Sequence, residues 1–303
     1  MSAAGRRSAP SRRRGLLSLD RRATFWLLSL PPTIWLALFL VAPLLLMAAF
    51  SFRADTRGAL LEPWAPTLKQ YVALSGEGAY LRLLGISAVL AAGVALLAVA
   101  LAYPVAYFLA LRAGRRAGLF LILLLVPFWT SYLLRIMAWK LMLGSEGVIN
   151  SALQATGLID EPLDALLYNR GAVVITLIYV WIPFAALPIL AALQRIDVAL
   201  LDAAADLGAR PAAQFWRVTW PLSLPGVLAA FFMVFIPTIG EYVTPLLVGG
   251  TDGIMYGNVI QDFFTKAANL PFGSALSMVM LAATVVFVAI GVKVIDVKRF
   301  FGE

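Results

Sequence analysis

A chain of 303 residues that is 62% hydrophobic and only 13% charged, with a mean hydropathy of +0.89, carries too little charge to wet a soluble domain, where about a quarter of residues are charged. It has no histidine and no cysteine; this removes the commonest general base and metal ligand, any thiolate metal site and any disulfide framework. The net charge of +8 sits mostly in an N-terminal tail with no basic folded domain beside it, which argues against a nucleic-acid partner and for contact with the lipid bilayer's anionic headgroups.

In chain order, residues 1–24 form the basic tail, with arginines at 6, 7, 12, 13, 14, 21 and 22 against Asp20. Residues 25–303 then read as one all-α integral membrane domain. Charge-free apolar runs at 23–52, 83–111, 117–134, 171–194, 218–240 and 267–292, each long enough to cross a bilayer, predict six transmembrane helices at about 26–52, 83–111, 117–143, 171–194, 221–249 and 272–295. The first run is too long for a signal peptide and lacks a small-residue cleavage site. Pro31, Pro32 and Pro43 are expected to interrupt the first helix and Pro104 the second, while Pro183 and Pro188 lie in the fourth and Pro237 and Pro245 in the fifth. In the second helix Ala88, Ala92, Leu96 and Ala100, beside Gly85 and Gly93, would let a neighbour approach closely. Loops 144–169 and 250–273 have room for short interfacial helices, for example Leu153–Gly157 and Val259–Phe264.

Lysine and arginine set the expected orientation. The tail, Arg112, Arg115 and Arg116, the 195–217 loop, and Lys298 and Arg299 fall on one side, while Glu146, Asp160, Glu161, Asp164, Asp252 and Asp262 fall on the other. The positive-inside rule places both termini in the cytoplasm. None of the five lysines follows a glycine, so the P-loop pattern that cradles ATP is absent, and ATP-driven transport would need another subunit to hydrolyse it.

The loop 197–220 is the polar exception. Asp197 is placed to cap a helix over Val198–Leu207, Gly208 to end it in the left-handed conformation, and Pro211 to begin a second helix over 211–219. Small residues (Ala203, Ala204, Ala205) lie beside a charged rim of Asp202, Asp206, Arg210 and Arg217, with Phe215, Trp216 and Trp220 as interface anchors. Physics alone leaves two readings: a docking element for another protein, or a loop folded on its own membrane.

The stretch DAAADLGARPAAQFWRVTWPLSLPG, residues 202–226, resembles the EAA loop of ABC importer permeases, with Asp202 in place of the family's glutamate, Ala203, Ala204 and Gly208 matching, and Pro221 and Pro225 closing the motif. PFWTSYLLRIMAWKLMLGSEGVIN (127–150) and IPTIGEYVTPLLVGGTDGIMYGNVIQDFF (236–264) are similar to permeases of the spermidine/putrescine group. The resemblance spans about 26–300 and implies a type I ABC importer permease-like bundle, with Asp202, Ala203, Ala204, Gly208, Arg210 and Pro221 in the loop that seats in an ATPase subunit. It implies as partners a second permease subunit, two cytoplasmic ATP-binding subunits and an extracytoplasmic solute-binding protein, in a bacterial inner membrane. It implies no cofactor and no covalent chemistry.

Glu241 is the sole acidic residue inside a predicted span, and an ionisable group at that depth is a functional candidate. Gly240 and the flanking prolines are expected to break the helix there. With Tyr242, Trp129 and Tyr132 it forms a candidate station for an organic cation; the alternative is a structural ion pair with Arg135. Arg135 and Lys140 are expected to snorkel to the interface. The rival function is an ion-coupled secondary carrier using Glu241, against which the lack of histidine and of an inverted repeat both count.

Overall fold

The computed structural model describes residues 21–54 and 65–294, with side chains from Phe25 to Lys293. The tail arginines at 6, 7, 12, 13 and 14, residues 55–64 of the first loop, and Lys298 and Arg299 lie outside the described residues. Among those described, five helices are long and apolar enough to cross a membrane: Phe25–Ser51, Gly78–Leu111, Arg170–Leu193, Pro211–Ile239 and Leu270–Lys293. A sixth segment is formed by Gly114–Trp129 and Tyr132–Ala155, a pair bent by 87°. The apolar run expected as a single third helix over 117–143 is therefore broken.

The chain divides into two units at Ala49/Phe50. The first carries α1 (Arg21–Leu36), a π-turn (Ala37–Val41) and the start of α2 (Ala42–Ser51). Helix continues straight through Pro31 and Pro32, and the wider turn falls just before Pro43. A π-turn bonds each carbonyl to the fifth residue on, so it bypasses the N–H that proline lacks.

The second unit contains α3 (Lys69–Gly76), α4 (Gly78–Leu111), α5 (Ala117–Leu125), α6 (Tyr132–Leu143), α7 (Val148–Ala155), α8 (Arg170–Leu193), α9 (Val198–Asp206), α10 (Pro211–Gln214), α11 (Trp220–Ile239), α12 (Tyr256–Thr265) and α13 (Leu270–Val294). α7 and α12 occupy the two loops where short helices are expected, each starting a few residues earlier than the sequence suggests.

The core is the three-way packing of α4, α8 and α11. α4 turns Ala91, Ala95, Ala98, Ala102 and Ala106 inward, all fully buried. This is not the expected small-residue face: Leu96 and Ala100 are exposed, and Gly85 and Gly93 have no neighbour near the position of a side chain. α4 is apolar all round, so its composition cannot select which stripe packs. α8 meets α11 at Gly226, where even a Cβ would sit 2.4 Å from that of Ala192 and 2.6 Å from the Pro188 carbonyl oxygen.

α4 stays helical through Pro104, α8 through Pro183 and Pro188, and α11 through Pro225 and Pro237. The expected interruption at Pro104 does not occur, and helix also passes unbroken through Pro183, Pro188 and Pro237, because a single missing bond within a packed bundle does not outweigh the remaining ladder and side-chain packing. Where the helix does adjust, at Phe215–Thr219, a π-turn again lies just before a proline, Pro221.

Candidate functional site

Two regions carry the expected functional residues. In the polar loop, the Asp197 side chain accepts the Ala199 N–H at 2.9 Å, which caps α9. The helix closes on Gly208 at φ +80°, with the Gly208 N–H bonded to the Ala205 carbonyl (2.8 Å) and the Ala209 N–H to that of Ala204 (3.0 Å). This pair of bonds is the Schellman arrangement, which satisfies the last carbonyls of the helix. Arg210 follows in extended backbone and Pro211 takes the first position of α10.

α9 has no buried residue. Asp202, Ala203, Gly208 and Arg210 are exposed, Ala204 and Pro221 half-buried, and Leu207 is 89% exposed. Among the described residues, Asp202, Asp206, Arg210 and Arg217 form no ion pair; the one present joins Lys266 to Asp262. Leu207, Gly208, Arg210, Gln214 and Arg217 help line a recess of ≈ 500 Å³.

The second helix of the loop is not separate from the fifth span. Helix runs without a break for 29 residues from Pro211 to Ile239, so Pro221 and Pro225 lie inside it rather than leading into it. Phe215 and Trp220 turn inward: their rings lie 5.8 and 5.3 Å from Tyr103 on α4, and the Tyr103 and Ser223 hydroxyls are 2.9 Å apart. Trp216 alone stays largely exposed, so only one of the three aromatics is free to act as a surface anchor.

The second region lies at the end of α11. Helix stops at Ile239, and after Gly240–Val243 the chain enters a π-turn at Pro245–Gly249; the expected break at Gly240 is present. The half-buried Glu241 accepts the Val243 and Thr244 N–H groups on Oε1 (2.8 and 3.1 Å) and the Tyr132 hydroxyl on Oε2 (2.8 Å). A carboxylate with three donors has replaced its water shell with fixed hydrogen bonds.

Of the four expected path residues, Glu241 and Tyr132 are bonded and Tyr242 follows Glu241 in the same break, 41% exposed. Trp129 lies on the other side of the bend, 81% exposed, and is not brought to the carboxylate. The alternative ion pair with Arg135 is absent. Arg135 is buried rather than snorkelling, its guanidinium 4.7 Å from the centre of the Phe128 ring and 5.8 Å from that of Tyr132, and its Nε has no acceptor. Lys140 lies over the Tyr168 ring at 5.6 Å.

The sequence reading missed the residues that support this break. Asn258 Nδ2 donates to the Tyr242 carbonyl (2.8 Å), the Tyr256 N–H bonds to Ser87 Oγ (2.8 Å), and Gly257 sits so close that a Cβ would be 2.5 Å from the Gly240 carbonyl oxygen. Burial, with Tyr80 adding to it, raises the Tyr256 hydroxyl above its ordinary pKa. A glycine and an asparagine side by side in a short amphipathic helix were the available signal.

The family described as binding-protein-dependent transport system inner membrane component matches residues 2–299. The chain belongs to this family. It is 34% identical over 256 residues to the spermidine/putrescine transport system permease protein PotB of Haemophilus influenzae, covering 84% of this chain and 88% of the relative. It is 35% identical over 246 residues to PotB of Escherichia coli, covering 81% and 88%. The inner membrane ABC transporter permease protein YdcU of E. coli is 33% identical over 66% of this chain and 67% of its own length.

A solved bacterial ABC transporter that imports the acidic polysaccharide alginate shares the fold, with a TM-score of 0.68, 17% identity, and coverage of 90% of this chain and 95% of that one. A bacterial alginate ABC transporter in complex with an alginate pentasaccharide-bound periplasmic protein gives 0.72, with 16% identity and coverage of 90% and 94%. This permease is thus a multi-pass inner-membrane transport subunit of an ABC importer and not an enzyme; ATP hydrolysis belongs to a separate subunit, and the secondary-carrier reading is not favoured.

Proposed function

We propose that this permease forms, with a second permease chain, the membrane pathway of an importer for polyamines such as spermidine and putrescine, or a similar small organic solute. Two cytoplasmic ATP-binding subunits drive it, and an extracytoplasmic solute-binding protein delivers the solute. Both termini and the 197–220 loop face the cytoplasm. α9, with Asp202, Ala203, Ala204, Gly208 and Arg210, docks in a groove of one ATPase, and Pro221 lies where the loop enters the membrane. Glu241, Tyr132 and Tyr242 lie along the solute path.

The observation that carries this reading is the construction of the loop. α9 has no buried residue yet is closed at both ends by its own hydrogen bonds, as suits an element that meets a partner rather than its own core. It is joined by the short turn 207–210 to a helix that runs unbroken from Pro211 to the break beside Glu241. A push on α9 therefore has a stiff route to the middle of the path. The polyamine assignment is supported by the two PotB relatives, which match over most of both chains.

The test is uptake of radiolabelled spermidine into vesicles holding the complete transporter and its binding protein. Uptake should require ATP, stop with vanadate and be competed by putrescine. ATP-driven uptake of a different solute would remove the polyamine assignment, and uptake driven by a proton gradient without ATP would remove the importer reading itself.

A further inference from the structure

The third and fifth spans are both broken, and the two breaks meet at one carboxylate. The Tyr132 hydroxyl, two residues past the bend at Thr130, donates to Glu241 Oε2 at 2.8 Å and lies 3.0 Å from Thr244 Oγ1. Glu241 Oε1 holds the Val243 and Thr244 N–H groups, which open the turn Pro245–Gly249. The opposite flank is shut by α12: Gly257 sits against the Gly240 and Glu241 carbonyls, and Asn258 holds the Tyr242 carbonyl. Glu241 thus has its oxygens engaged by the protein itself, and Arg135 does not neutralise it.

We propose that Tyr132 and Glu241 form a latch that makes α6 and the turn Pro245–Gly249 move as one body during transport, with Glu241 a positioning residue rather than the landing site of a cation. The proposal rests on the importer reading and deepens it. The N–H groups at 243 and 244 have no carbonyl one turn back to bond, because the helix ends at Ile239; they need an acceptor, and a carboxylate is the strongest available. Its second oxygen reaches the neighbouring span, so the group that completes one break also ties it to the other. In a medium of low dielectric such a bond does not open without a replacement partner, which gives the joined elements two discrete arrangements instead of a loose range.

The latch predicts a ranking that a cation site reverses. Glu241→Gln deletes the charge but keeps an oxygen for the two amides and an amide N–H that can donate to the Tyr132 oxygen. Tyr132→Phe deletes only the hydroxyl and keeps the carboxylate and an aromatic face. In the complete transporter, Tyr132→Phe should lower the maximal ATP-driven uptake rate by about tenfold, the loss that one charge-assisted hydrogen bond implies. The KM for spermidine should stay within about twofold, because the carboxylate and the aromatic face that border the path are both kept. Glu241→Gln should lower the rate less than Tyr132→Phe.

A second readout does not depend on the solute. Nitroxides at Leu141→Cys on α6 and Leu246→Cys in the turn report the spin–spin distance, in a chain with no native cysteine. The distribution should be narrow in the parent and broadened by Tyr132→Phe. If that variant does not assemble, Glu241→Ala, which removes the acceptor of the Tyr132 hydroxyl, is measured in the same way. A distance distribution unaltered by loss of the hydroxyl or of its acceptor would overturn the latch. So would abolition of uptake, or a large rise in KM, by Glu241→Gln with Tyr132→Phe nearly active. A parent transporter that does not carry spermidine overturns the substrate assignment alone and leaves the distance comparison to decide the latch.

Discussion

Gly208 bears the sharpest local demand in the polar loop. Its φ of +80° is a conformation that L side chains adopt at a cost of about 1–2 kcal/mol, and nothing lies within 4 Å of the position a Cβ would take. The penalty of a substitution is therefore one of backbone, not of space. Gly208→Val should lower uptake per ATP hydrolysed in the assembled transporter, because the turn that sets α9 against Pro211 opens. Gly208→Asn should be milder, since asparagine tolerates the left-handed region. The two uptake-to-hydrolysis ratios, measured side by side, check this; equal losses would show that the space above the turn matters instead. Glycine followed by Arg-Pro is legible in sequence as a helix end and a helix start. The two bonds that close the turn, from Gly208 and Ala209, follow from that spacing alone.

Among elements, the contact of α8 with α11 is set by Gly226. A single methyl there would press on the Ala192 side chain and on the Pro188 carbonyl oxygen, and the second of these is backbone that cannot rotate away. Gly226→Ala should destabilise the permease by about 1–3 kcal/mol, the usual cost of overpacking, read as a lower thermal midpoint of the assembled complex. Gly93→Ala is the control. It too lies within a span, but with nothing within 4 Å, and alanine is the better helix former by about 1 kcal/mol, so it should be neutral or stabilising. Sequence gave no means of ranking these two glycines. Each stands in an apolar run, and only the partner helix distinguishes a contact from an open face. The prolines teach the same lesson: most lie inside continuous helix, while the sharpest bend follows Trp129, at Thr130 and Ser131.

For the whole molecule, the distribution of lysine and arginine predicts an orientation that labelling can check. A cysteine placed at Asp160 should react with an impermeant maleimide from outside the cell, and one at Arg116 only after the cytoplasmic side is opened. The absence of native cysteine makes each signal unambiguous. Reaction of the Asp160→Cys variant only from the cytoplasmic side would invert the topology, and with it the placing of α9 against an ATPase.

What the sequence determined by itself is what depends on composition and on near neighbours in the chain. The membrane class follows from the lack of charge, the positions of the spans from the apolar runs, and the form of the polar loop from Asp197, Gly208 and Pro211, each of which acts on backbone within a few residues. The family was visible in contiguous motifs for the same reason. Only the tertiary structure decided which face of α4 is buried, that helix passes unbroken from Pro211 to Ile239, and that the partner of Glu241 is Tyr132 rather than Arg135. The last of these joins residues 109 positions apart in the chain. In a chain apolar on nearly every face, no periodicity marks which of them will meet; the choice falls to close packing and to the few hydrogen bonds that a broken helix has to complete.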